Sequence, residues 1–377
     1  MKPDFIIFSQ GDSREPSTWS NVPFFFTRTL EHRGYRVHHV NIGPPRFFQL
    51  LFDVPWRTCC RLVGRQTRFT FVRSRVHRHF VEAKIRRVLA RFPDGYSVFM
   101  TFSFGAGDTR PYTLFCDQTF EQHIAYFDER DPDGLERPTI LKERMNLRKA
   151  DMIIALFPDL AESLRTVHGS KVKYYGNVVN MDIQQVDREE LLKRKRASKE
   201  IVFIGSRKYK EGLERLAEAV EVLNAEGRNE LTVHVIGMDR SDLPMAPRNM
   251  KFHGYLDKGI SAQKQTYLDV LERSRLFVNP NPKWAAFSAS CEALYLYTPV
   301  VIFPYREFES TFGDVNRVGH PLDSNDPRSL AETIANLMED DEAWTQKAIA
   351  AHNATSMMTW ENYINQYLRD LEENGRA

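Results

Sequence analysis

The stretch Ile201–Ala219, IVFIGSRKYKEGLERLAEA, decides how the rest of the chain reads. An apolar run ends at Gly205, Arg207, Lys208 and Lys210 follow within five residues, and a helical stretch begins. An apolar run bounded by a turn residue reads as a buried strand. Glycine lets the backbone turn tightly between strand and helix, because it has no Cβ to clash. A helix N-terminus attracts anions, and arginine and lysine add full charges, so a diphosphate is the natural guest of this turn. The bland alternative is a solvated turn with surface basics.

The same strand-then-helix rhythm extends in both directions. Downstream, a helix over 211–226 is closed by Gly227, and strands fit 231–237, 250–255, 276–280 and 300–304. Helices fit 261–274 and the run from Asp326, an N-cap followed by Pro327, to Met338. Upstream, strands fit 5–9, 37–40, 97–102, 114–117, 152–156 and 172–175, with helices over 23–33, 76–91, 139–149 and 160–167. Between Asp182 and Lys199 the sequence turns charged and loses hydrophobic order, which reads as an interdomain joint. The expected organisation is a domain over 1–182, a linker over 183–199, a second domain over 200–358 and a last helix within 359–377. Strand and helix alternating twice across a joint predicts an α/β fold of two doubly wound, Rossmann-like domains facing a cleft. Ligands of such sheets sit beyond the carboxyl ends of the strands, so chemistry is sought in the strand-to-helix loops.

Composition narrows the classes. Net charge is +2, with 42% hydrophobic and 27% charged residues. That balance, with no binding motif, argues against a nucleic-acid partner. The four cysteines, Cys59, Cys60, Cys116 and Cys291, form neither a disulfide framework nor a zinc pattern, which points to a reducing cytoplasm. The apolar run near the start is too short for a signal peptide's core, so any membrane contact is expected to be peripheral. Arg57–Arg91 carries many arginines against Glu82 alone, and the overlapping stretch RFFQLLFDVPWRTCCRLVGRQTRF interleaves Phe47, Phe48, Leu51, Phe52 and Trp56 with arginines. Apolar anchors beside positive charge suit an anionic lipid surface, the alternative being a basic face over an ordinary core.

Three further stretches carry candidate chemistry. Glu292 stands in an apolar neighbourhood, after Phe287, Ser288 and Ala289 and before a Pro-Val-Val-Ile strand. A carboxylate there either faces water by helical phase or is answered by a ligand, and vicinal ribose hydroxyls would suit it. The loop before the first helix offers Trp19, Ser20 and Asn21, polar groups with an aromatic platform for a sugar, or simply capping residues. Asp117 ends a strand, and His123 and Asp131-Pro132-Asp133 follow. His123 reads as structural and the acidic loop as a solvated turn, so no metal is assigned.

Together these segments resemble the retaining GT-B glycosyltransferases of family four, the mannosyltransferase-like group. GSRKYKEG fills the place of the family's Gly-Arg…Lys-Gly loop, and CEALYLYTPVVI that of its second glutamate and Pro-Val strand. FHGYLDKG resembles the Gly-centred segment near the nucleotide base, which implies roles for Gly254 and Tyr255. VGHPLDSNDPRSLAETI, NLRKADMIIALF, KVKYYGNVVNMD and TWSNVPFFFTRTLEHRGYRV match in outline. Two departures stand out. The family's first glutamate falls on Trp284, which bears on donor-sugar contacts, and either Lys208 or Lys210 takes the family lysine's place, with Lys210 preferred.

The resemblance implies a C-terminal helix crossing back to the N-terminal domain and sugar transfer from a nucleotide-sugar donor with retention. Gly205, Arg207, Lys208, Lys210, Gly254, Tyr255, Phe287, Ser288, Ala289 and Glu292 would bind the donor, with Glu292 on the ribose. Arg207, Lys210 and the helix dipole would stabilise the departing diphosphate without a metal or other cofactor. Asp117, as a base, and the Trp19–Asn21 loop would face a glycan or lipid-linked acceptor for cell-surface polysaccharide. The expected location is the cytoplasm, at the inner face of the membrane if the basic segment binds lipid. A sugar-nucleotide epimerase of the same fold and a non-catalytic nucleotide-sugar binder stay as alternatives.

Overall fold

The computed structural model describes residues 4–182 and 187–375. They form two compact units: the first takes the described residues up to Gly176 together with those from Tyr363, and the second is Asn177–Asn362.

In the first unit, strands β1 (Phe5–Ser9), β2 (Val37–Asn41), β3 (Tyr96–Phe99), β4 (Tyr112–Cys116), β5 (Met152–Ala155) and β6 (Val172–Lys173) form one parallel sheet ordered β2-β1-β3-β4-β5-β6. Its helices are α1 (Val22–His32), α2 (Arg46–Leu62), α3 (Arg75–Arg91), α4 (Phe120–Asp128), α5 (Arg137–Lys149) and α6 (Pro158–His168). Every residue of β1, FIIFS, is buried, as a strand covered on both faces requires. Phe8 stacks on Phe99 of β3 at 4.4 Å in the middle of the core. Thr119 opens α4 through a capping box with Gln122, satisfying amides that the helix leaves without an internal partner.

The second unit repeats the plan. Helix α7 (Arg188–Ala197) leads into β7 (Glu200–Ile204), α8 (Lys210–Ala225), β8 (Thr232–Ile236), β9 (Met250–Phe252), α9 (Ser261–Arg273) and β10 (Leu276–Asn279). Then come α10 (Phe287–Tyr295), β11 (Val300–Ile302), α11 (Arg306–Phe312), β12 (Gly319–Pro321), α12 (Pro327–Glu339) and α13 (Asp341–Thr355). Its parallel sheet is ordered β12-β11-β10-β7-β8-β9. The last helix, α14 (Trp360–Glu373), starts in this unit, and its body from Tyr363 belongs to the first. There Tyr367 donates to Thr113 of β4 at 3.2 Å and Tyr175 donates to Asp370 at 2.7 Å.

The expected joint over 183–199 needs correction. Residues 183–186 lie outside the described residues, and 188–197 is α7, a helix of the second unit, which the chain has already entered at Asn177. Leu191 and Leu192 are buried, and so is Lys195, whose ammonium donates to Ser274 O at 2.8 Å, Thr298 Oγ1 at 2.7 Å and Leu271 O. A lysine in the apolar position hides the helical periodicity from a reader of the sequence.

In a doubly wound sheet the chain leaves the central strand in opposite directions, and the loops after the two central strands part there to open a crevice. In the second unit that point lies between β7 and β10. In the first it lies between β1 and β3.

Candidate functional site

At the second unit's switch point, Gly205 ends β7 with its amide donating to Ile236 O at 2.9 Å. A Cβ on Gly205 would stand 2.9 Å from the ring of Tyr209, so the turn closes over that aromatic. Gly237, after β8, holds φ +98° and comes so close that a Cβ would lie 2.6 Å from Gly205 O. Its amide donates to Gly254 O, after β9, at 2.7 Å. Three glycines thus line the carboxyl edge of β7, β8 and β9 and leave bare backbone where side chains would otherwise stand.

The basic turn sits on this edge. Ser206, Arg207, Lys208 and Lys210 are exposed, while Tyr209 between them is buried. The cations already have protein partners. Arg207 Nε meets Asp242 Oδ1 at 2.7 Å, Lys210 meets Glu214 at 3.5 Å, and the Lys208 ammonium lies 4.7 Å from the Tyr209 ring centroid. An arriving anion therefore competes with carboxylates, weakly at Lys210 because exposed pairs are worth little.

Tyr209 joins this turn to the β10–α10 segment. Its hydroxyl is hydrogen-bonded to the Ala286 backbone, and burial pushes the phenol above its usual range. Gly212, in the first turn of α8, packs so tightly that a Cβ would sit 2.9 Å from Asn281 N. Asn279, the last residue of β10, donates to Ile204 O of β7 at 3.1 Å. The cationic turn and the start of α10 therefore share one edge of one sheet. Trp284 and Ala286, just before α10, hold φ 54° and 52°, a left-handed conformation that costs a non-glycine residue about 1–2 kcal/mol each. Helix α10 opens at Phe287 with no side-chain cap, so Phe287, Ser288 and Ala289 carry first-turn amides suited to an oxygen-rich ligand. The Trp284 ring lies 6.4 Å from Phe287 and 6.3 Å from Tyr305.

Glu292 is buried, 1% exposed, and the protein itself answers it. Lys258 Nζ donates to both carboxylate oxygens, at 2.6 and 2.7 Å, and the Tyr267 hydroxyl donates to Oε2. Burial first, then the neighbouring carboxylate, push the Tyr267 phenol well above its usual range, so it stays a donor. The expectation that only water or a ligand would meet this carboxylate was incomplete. Lys258 comes from the segment after Gly254, so the grip still ties Glu292 to the glycine edge. Tyr255, beside Gly254, is 65% exposed and offers a free-standing ring at that edge.

The first unit has its own cluster. Trp19, Ser20 and Asn21 hold φ 39°, 52° and 68°, three successive left-handed residues in the loop after β1. The turn is pinned by Asn21 donating to Pro16 O, by Thr18 Oγ1 donating to Asp12 O at 2.7 Å, and by the Trp19 ring against Phe115 at 5.7 Å. Trp19 also hydrogen-bonds Asp117 at the end of β4, so these two candidates meet. Desolvation raises the Asp117 carboxyl above its ordinary value. His123 lies with Nδ1 3.3 Å from Gln118 Oε1 and its ring on Phe127. Asp133 is a turn residue: it accepts from Arg65 at 2.9 Å and from the Leu135 amide at 2.8 Å.

Tyr209, Gly237, Asp242, Lys258 and Tyr267 were not singled out from the sequence. Gly237 had the legible signal, since it ends a strand just as Gly205 does. The others act through partners far along the chain.

A family model described as Glycosyl transferases group 1 matches residues 198–340, within the second unit. No curated protein matches the chain. Solved structures do. Sucrose-phosphate synthase from Thermosynechococcus elongatus superposes with a TM-score of 0.67 at 14% identity, covering 99% of this chain and 100% of its own. WaaG, a glycosyltransferase involved in lipopolysaccharide biosynthesis, gives 0.64 at 13%, covering 96% and 98%. Anabaena HepE, in complex with UDP and glucose, gives 0.63 at 12%, covering 98% and 100%. The two parallel six-stranded sheets are those of the GT-B fold.

Proposed function

We propose that the protein is a glycosyltransferase that moves a sugar from a nucleotide-sugar donor, with retention, to a glycan or lipid-linked glycan. The observation that carries this is the convergence at the second unit's switch point. A glycine-lined edge, an exposed Arg-Lys turn and an uncapped helix start lie together, joined through Tyr209 and Ala286. The donor diphosphate would lie over Gly205 at the start of α8. Departure of the nucleotide leaves negative charge on that diphosphate. Arg207, Lys210 and the first amides of α8 would stabilise it, with no step requiring a metal or other cofactor. The ribose would approach Glu292, sharing or displacing the Lys258 ammonium. Tyr255 would lie beside the base. The site in the first unit, with Asp117 as base beside Trp19, would take the acceptor. The family match and the UDP held by Anabaena HepE support this reading.

One observation favours a second reading. Trp284 in place of the family's first glutamate and the internal pairing of Glu292 also suit a protein that binds a nucleotide sugar without transferring it. Two measurements separate the readings. Thermal shift with UDP, GDP and CMP finds the nucleotide, since a ligand of the native state raises the melting temperature. Labelled nucleotide sugar then tests turnover. Release of nucleotide with labelled glycan supports the transferase, an isomerised donor an epimerase, and binding without release the binder. Arg207→Ala is expected to weaken nucleotide binding about ten- to hundredfold, the worth of a charge-assisted hydrogen bond. Unchanged affinity would remove the diphosphate from this turn.

A further inference from the structure

Helix α2 is packed with its apolar side outward. Phe47, Leu51, Val54 and Leu62 follow one another at helical spacing and are 69%, 63%, 56% and 81% exposed. The packing side of the helix is already in use. Phe52 lies 6.2 Å from Trp56 and 5.7 Å from Phe71, the Trp56 indole donates to Phe69 O at 3.1 Å, and Asp53 accepts from the Phe71 amide at 2.8 Å. The outward stripe is thus not a misassigned core face. Soluble domains rarely leave contiguous apolar patches of this kind bare, and where they do the patch has a partner.

Charge selects the partner. By helical phase, Arg46, Arg57 and Arg61 run along one border of the stripe, and all three are exposed. The helix contains one acid, Asp53, and it is buried. Farther along, Arg65 pairs with Asp133, Arg68 pairs with Asp128, and Arg73 lies over the Phe120 ring at 3.9 Å, while Arg75, Arg86, Arg87 and Arg91 of α3 are exposed. The expected basic segment thus keeps exposed arginines on both α2 and α3, and α2 is the helix that sets them beside the stripe of Phe47, Leu51, Val54 and Leu62. A second copy of the chain would bring another arginine border with no carboxylate on the stripe to meet it. Among the described residues no helix is long and apolar enough to cross a membrane.

We propose that the outward face of α2 docks the protein on an anionic lipid bilayer. The apolar stripe enters the boundary between headgroups and acyl chains, and the arginine border rests on lipid phosphates. The helix is rooted at the edge of the first unit that carries Trp19. The Asn41 side chain at the end of β2 accepts from the Gly11 amide of the β1 loop at 3.1 Å and from the Gly43 amide, just before α2, at 2.7 Å. Docking would set that edge near lipid headgroups, which suits a lipid-linked acceptor. That last step rests on the acceptor reading, whereas bilayer binding does not.

The test is flotation of the full chain with vesicles of phosphatidylcholine alone and with phosphatidylglycerol added, at low and high salt, with no nucleotide present. The expected result is recovery with the anionic vesicles that falls as salt rises. Arg57→Gln with Arg61→Gln should lower that affinity about thirtyfold, the product of two surface charges. Leu51→Glu with Val54→Glu should abolish flotation, and Leu62→Glu, at the far end of the stripe, should weaken it, each with the wild-type circular dichroism spectrum. Absence of wild-type flotation, or equal flotation by all variants, would overturn the proposal. So would a concentration-dependent dimer, without lipid binding, that the Leu51→Glu/Val54→Glu variant loses, because the face would then belong to a second copy.

Discussion

Lys258 and Glu292 set a problem that can be solved only with both in view. A buried carboxylate needs a cation, and a lysine held there by two short hydrogen bonds is that cation. Lys258→Met would leave Glu292 charged and buried beside Tyr267 alone, with an expected loss of about 3–5 kcal/mol in stability. The double variant Lys258→Met/Glu292→Gln should recover most of it, and urea unfolding of the four proteins in the cycle measures the coupling. If a ribose competes for Glu292, Glu292→Gln should weaken nucleotide binding while Lys258→Arg leaves it measurable. A second buried group gives a pH signature. His234 shares hydrogen bonds with His253 at 2.9 Å and Glu200 at 3.1 Å, and Arg273 meets Glu200 at 3.4 Å. Burial is the main cause that pushes His234 from 6.5 down to about 4. The unfolded chain takes up this proton first as pH falls. The histidine's contribution is therefore complete above 6.5 and is lost as pH drops from 6.5 toward 4. Unfolding free energies of wild type and His234→Gln across that window should converge toward the acid end; parallel curves would show that His234 does not titrate on unfolding.

At the scale of elements, one arginine ties the helices that cover the second sheet. Arg275, just before β10, is 2% exposed. It donates to Arg196 O at the end of α7 at 2.6 Å and to Leu337 O near the end of α12 at 3.2 Å, and it pairs with Asp341 at the start of α13 at 2.8 Å. Its guanidinium lies 5.0 Å from the Trp344 ring, whose indole donates back to Arg275 O at 2.9 Å. Arg275→Met should cost about 3 kcal/mol or more, since the carbonyls it serves are buried, and Arg275→Lys should restore less than half because an ammonium lacks the planar fork. Denaturant midpoints decide this. The same element explains what the sequence could tell. Strands such as FIIFS and IVFI are apolar throughout because helices cover both faces, so they were legible, and so was the N-cap at Asp326. Helix α7 was not, because a buried lysine stands where an apolar residue is expected. Helix α2 was not, because its apolar stripe faces outward and Pro55 interrupts it. Glu292 was legible as an oddity, but its partner lies 34 residues earlier and only the folded sheet brings them together.

For the whole molecule, the repeated doubly wound plan gives two switch points, one per unit, each with its own strained loop. Trp284 and Ala286 adopt left-handed conformations in the second unit, and Trp19, Ser20 and Asn21 do so in the first. Non-glycine residues persist in such conformations only where surrounding structure over-determines them, a pattern concentrated at ligand sites. The proposed division of labour places the donor nucleotide on the second unit and the acceptor on the first, so variants in each should fail differently. Asp117 is raised by desolvation and held by Trp19 and by Cys116, whose thiol donates to it at 3.4 Å. A carboxylate whose proton affinity is raised is a better base at neutral pH. Asp117→Asn keeps the shape, so the melting-temperature rise with nucleotide should match wild type, while transfer should slow about a hundred- to ten-thousandfold as general-base catalysis is lost. Trp19→Phe removes the indole hydrogen bond and should produce a smaller loss of the same kind. Equal transfer rates in wild type and Asp117→Asn would take this carboxylate out of the chemistry and leave the first unit's strained turn as a binding device alone.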